Sequence, residues 1–162
     1  MARKNMFDEI MEAVTFAEAG ETERASAIAA EVFDTEASRK VGRILALSHA
    51  PGFSPAMVDQ AIALADRLHY GVLAVSVPRG LWGALRPGAI RNELHTPEMF
   101  RTRAAERKIP FAHDRRSGDP ERIVVELTRR IHRIAFLLID PRQLPRARFS
   151  SVGLPIFAVS EK

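Results

Sequence analysis

Three arginines in the stretch DPRQLPRARFSSVG, namely Arg142, Arg146 and Arg148, have the chemistry to hold an anion, because a guanidinium fork binds phosphate or carboxylate oxygens two at a time. Arginines bunch again in DRRSGD, TRR and RIHR and supply almost all of the formal charge of +4. Such faces attract phosphates, nucleic acids or acidic partners, and more often they are plain solvated surface. Nucleic acid is not the expected partner, since no aromatic stacking platform or recognition helix accompanies these arginines.

Other chemistries find little support. The absence of cysteine removes disulfides, thiolate zinc sites and thiol catalysis together. A serine hydrolase needs a G-x-S-x-G elbow, and none occurs. His95, His113 and His132 form no i, i+4 ligand pair, no HExxH is present, and no metal is expected. Glu12 with Glu18 and Glu93 with Glu98 fall on helices expected to be exposed, with nothing to desolvate them. The chain is therefore not expected to be an enzyme.

The elements that must position the arginines can be read from periodicity. Residues 1–40 differ in texture from the rest: Phe7, Ile10, Met11 and Val14, then Ala25, Ile28, Ala29, Val32 and Phe33, recur at helix spacing on either side of Gly20. They are expected to form a helical hairpin that docks on the main domain, on a twin or on another protein, joined by the polar linker DTEASRK. From Val41 to Lys162 short apolar runs alternate with helix-period segments, the pattern of an α/β domain with a parallel sheet. ILALS at 44–48, GVLAVSV at 71–77, IPFAHDR at 109–115, IAFLLI at 134–139 and PIFAVS at 155–160 are the five strands. Ser54 and Pro55 open the first helix of this domain, and Asp119 and Pro120 open the one reaching Arg133. A further helix is expected to start near Thr96 and to end before Ile109. Trp82, in the turn-rich stretch before it, is expected to cover apolar surface.

No apolar run approaches the roughly 20 residues of a membrane span, and MARKNMFDEIMEAV carries acids where a secretion signal needs its apolar core. A cytoplasmic location is expected.

The order RILALS, SPAMVDQAIALADRLHYGVLAVSV, SGDPERIVVELTRRIHRIAFLLI and GLPIFAV resembles the universal stress protein family over Val41 to Lys162. The resemblance implies a five-stranded Rossmann-like α/β domain in a cytoplasmic, usually dimeric stress-response protein, with some members binding ATP and others not. Where ATP-binding members carry an Asp after the first strand, this chain has His49. Val77 matches the valine that packs against adenine. After the fourth strand those members carry Gly-x2-Gly-x9-Gly-Ser/Thr, whose bare backbone N–H groups approach phosphate. Here the corresponding DPRQLPRARFSSVG has one glycine, Gly153, at its far end. Asp140 stands in place of the first glycine, and Pro141 and Pro145 lack amide donors. The connection is also too short for the full helix of relatives. The pyrophosphatase-loop hydrolases share this general fold but need SGGxDS, which SHAPGFS lacks.

Two functions follow as expectations. One is a regulatory or partner-binding protein with no cofactor, dimerising through the last strand, Pro155 to Ser160, and extending its contacts through the N-terminal hairpin. The other is a sensor binding a nucleotide or other phosphate-bearing anion through His49, Val77, Arg142, Arg146 and Arg148, since His49 leaves the first strand at the sheet edge where such folds bind ligands.

Overall fold

The computed structural model describes residues 41–79 and 94–160. The expected N-terminal hairpin, its linker and Trp82 lie outside the described residues.

Strand β1, Arg43–Ser48, is buried at all six positions, which is why its sequence is a near-continuous apolar run. Ser54 then caps helix α1, Pro55–Leu68, by accepting the Met57 N–H at 3.3 Å. The helix ends at His69, whose left-handed φ of 55° turns the chain into β2, Gly71–Ser76, also buried throughout. Helix α2, Pro97–Glu106, is capped by Thr96 on the Met99 N–H at 3.2 Å. Strand β3, Phe111–Arg115, begins two residues later than the apolar pattern suggested, because Pro110 has no N–H for the ladder and contributes only its carbonyl, to the Val72 N–H at 2.8 Å.

Asp119 caps helix α3, Pro120–Arg130, through the Arg122 N–H at 3.0 Å. This helix stops three residues before the expected Arg133. Ile131 is extended and buried, and Arg133 turns at φ 64° so that β4, Ile134–Ile139, can start beside β1. A 3-10 helix, Arg146–Phe149, precedes β5, Ile156–Ala158, which is shorter than the expected 155–160 because it pairs only with Leu137 to Ile139.

The five strands are all parallel, in the order β3-β2-β1-β4-β5. Alternation along each strand sends side chains to two cores. Ile44, Ala46, Val72, Ala74 and Leu138 meet Met57, Ala61 and Phe100 of α1 and α2 on one face. Leu45, Leu47, Val75, Leu137 and Ile139 meet Ile123, Val124 and Leu127 of α3 on the other. Leu144, Phe149 and Val152 complete that second core from the connection between β4 and β5.

Candidate functional site

A doubly wound sheet opens a crevice at the carboxyl ends of its strands where the chain order reverses. In this sheet the reversal lies between β1 and β4. The loops after Ser48 and Ile139 therefore face each other there, with the loop after Ser76 alongside.

His49 Nδ1 lies 2.7 Å from the Val77 carbonyl oxygen. A carbonyl only accepts, so Nδ1 carries the proton and the neutral ring keeps Nε2 as an acceptor. Burial pushes the His49 pKa below its ordinary value; the Val77 carbonyl opposes this, and the charges of Arg79 and Arg148 push it down further. The ring is thus neutral at pH 7 and brings no positive charge to an incoming anion. Val77 is fully buried in the same core as Leu144 and Phe149.

The crevice is crossed by the chain's own Gln143. Its Oε1 accepts the His49 N–H at 2.9 Å and lies 3.1 Å from Ser48 Oγ. The Ser48 hydroxyl is also 2.5 Å from the Gly52 carbonyl, so its single proton serves one of these two acceptors. Arg79 Nη2 donates to the Gln143 carbonyl at 3.1 Å, tying a third loop to the same residue. Leu144 and Phe149, 0% and 1% exposed, belong to the same core as Val77 and Ile139.

The predicted arginines separate. Arg142 turns back onto Asp140, with Nη2 3.0 Å from Oδ2 and its own backbone N–H 3.0 Å from Oδ1. Burial pushes the Asp140 carboxyl up, but the Arg142 guanidinium and N–H outweigh it and hold the pKa below the usual value. Asp140, at the position of the family's first glycine, thus presents a charge already matched by Arg142. Arg148 reaches Asp119 at 2.8 Å, the carboxylate that also caps α3. That bond and the Arg122 N–H lower the Asp119 pKa. Arg146 is exposed on the 3-10 helix and has no ion-pair partner among the described residues. The structure thus joins His49 to Val77 and places the Arg148 charge near them, but it points Arg142 to an internal carboxylate and leaves Arg146 in solvent.

Sequence reasoning missed Gln143 and Arg79. The available signal was position: a polar residue just past a strand beside the reversal point is placed to bridge two loops. It also missed a second buried polar pair, between the last residue of β2 and the middle of β3, where Ser76 Oγ lies 2.9 Å from His113 Nε2. The Phe53 ring stands edge-on to His113 at 5.9 Å. Burial, reinforced by Arg101, lowers the His113 pKa to about 4. Among the described residues no cluster of three or more His, Cys, Asp or Glu could hold a metal ion, and no helix is long and apolar enough to cross a membrane.

No protein-family model and no curated sequence matches the chain. Solved structures do. A universal stress protein family structure from Burkholderia pseudomallei aligns at 17% identity and a TM-score of 0.53, covering 74% of this chain and 96% of that one. A universal stress protein family structure from Arabidopsis thaliana with AMP bound aligns at 14% identity and a TM-score of 0.50, covering 75% and 92%. The chain has the universal stress protein fold, a five-stranded parallel Rossmann-like sheet with flanking helices, and its strand order agrees with this.

Proposed function

We propose that this chain is a regulatory, partner-binding protein on the universal stress protein fold, not an enzyme, and that it does not take up ATP in the crevice at the ends of β1 and β4. The observation that carries this reading is Gln143, which spans the crevice to His49 and Ser48. A nucleotide would have to break those contacts before making any of its own. Isothermal titration with ATP, AMP and cyclic dinucleotides tests it. No micromolar binding is expected, and micromolar binding that disappears in Arg146→Ala overturns it in favour of an anion sensor.

The sensor reading keeps a specific foothold. The similar Arabidopsis structure holds AMP, and here Arg146 stands in solvent while Arg79 and Arg148 lie near His49. In that reading Gln143 is the gate that a phosphate-bearing ligand displaces, with His49, Val77, Arg142, Arg146 and Arg148 around it.

Partner binding includes a second copy of the chain. Strand β5 is a sheet edge, and Phe157 on it is 50% exposed, held by one edge-on contact with Phe136 at 5.0 Å. Apolar edge strands pair or are covered. In Phe157→Asp we expect light scattering to report a monomer where the parent chain is a dimer; an unchanged dimer removes residues 155–160 from the interface. The protein works in the cytoplasm.

A further inference from the structure

The connection from β4 to β5, residues 140–155, holds only the four-residue 3-10 helix where a parallel crossover usually lays a full helix over the sheet. Beside it Val125, Leu154 and Ile156 stay only half-buried against the core beneath α3. Between α3 and Ser151 runs an open groove of about 590 Å³, lined along the whole helix by Asp119, Arg122, Val125, Glu126 and Arg129. Its acids are already matched. Asp119 pairs with Arg148, Glu126 with Arg116 and Arg130, and Glu121 accepts from Ser151. Arg122 and Arg129 have no ion-pair partner among the described residues, so the groove presents uncommitted positive charge with the half-buried Val125 as its apolar floor.

The occupant that fits is in the same chain. Residues 5–38 hold nine carboxylates and one arginine, a formal charge of −8. The whole chain is +4, so everything else is +12. The same residues carry apolar side chains at helix spacing, which must be buried against something. The start of the described chain is beside this helix: the Arg43 N–H donates to the Arg133 carbonyl at 2.9 Å and Arg43 Nη1 to the His132 carbonyl at 2.6 Å, so the chain enters β1 just past the end of α3. Residues 39–42, between the segment and β1, can span about 14 Å at full extension, and the eleven residues of α3 are only about 16 Å long.

We infer that residues 5–38 dock in cis along α3, with carboxylates meeting Arg122 and Arg129 and apolar positions covering Val125, Leu154 and Ile156. The docked segment supplies the cover that the short crossover omits, and it masks the basic face from acidic partners. This holds whether or not the crevice binds a nucleotide.

Hydrogen exchange on the full chain tests it. Peptides from 5–38 should be protected in the parent protein, and protection should fall at least about tenfold in Arg122→Glu/Arg129→Glu. Salt at about 1 M, where the screening length is about 3 Å, should weaken it in the parent too. Val125→Asp attacks the apolar floor and should also release the segment. Peptides of β1 and β4 report that the variants remain folded. Absence of protection in the parent, or protection equal to the parent's in either variant, overturns the inference. Protection that falls on dilution assigns the groove to the segment of a second copy, which overturns docking in cis.

Discussion

Lowering the pH from 7 to about 4 should cost this protein about 3 kcal/mol of stability through one residue, His113. Its pKa falls from the ordinary 6.5 to about 4 in the folded chain, first because it is buried and then because Arg101 and Arg115 lie near, with Glu98 opposing them. A histidine depressed in this way binds its proton more tightly unfolded than folded. Stability is therefore fully present above pH 6.5 and is lost as pH falls toward 4, by an amount set by the gap between the two values. The window is distinct from that of Asp119 and Asp140, whose lowered pKa values remove stability only on further acidification. Urea midpoints measured between pH 7 and pH 4.5 should fall steeply in the parent and flatten in His113→Gln, which can still reach the Ser76 hydroxyl. Parallel slopes in the two proteins would show that the buried imidazole is not the group being titrated.

The sequence made the sheet legible because β1, β2 and β4 are covered on both faces and so appear as apolar runs that no surface segment would carry. Helix starts were equally plain, since Ser54 and Asp119 each stand immediately before a proline, a pairing that fixes both the cap and the first turn. Helix and strand ends were less so. Where α3 stops depends on Ile131 turning into the core and on Arg133 adopting positive φ, and neither side chain announces this. The candidate site was legible only in its location. Arginine-rich composition says where charge is, whereas the pairing of Arg142 with Asp140 and of Arg148 with Asp119 depends on which loops meet, a tertiary fact. Gln143 was invisible for the same reason: its partners His49 and Ser48 are 94 and 95 residues away along the chain.

The stretch DPRQLPRARFSSVG shows the same gap in energetic terms, and Phe149→Ala should be the more damaging substitution of all those considered. In the sequence this phenylalanine sits among arginines, serines and prolines, the composition of a solvated loop. In the fold it is 1% exposed and belongs to one core with Leu144, Val152, Val77 and Ile139. Three apolar residues in a short crossover thus do part of the covering that a longer amphipathic helix would do, and each carries a larger share of the burial. Truncating a buried phenylalanine removes its transfer free energy and leaves a cavity, a loss of about 3–5 kcal/mol. That is a large fraction of the roughly 5–15 kcal/mol by which domains are usually stable. Arg146→Ala, three residues away on the exposed side of the same 3-10 helix, should change stability by no more than about 0.5 kcal/mol. Denaturant unfolding of the two variants separates the alternatives. If both are near-neutral, the connection is a surface loop; if only Phe149→Ala is destabilised, the connection is an integral part of the core shared with Val77 and Ile139.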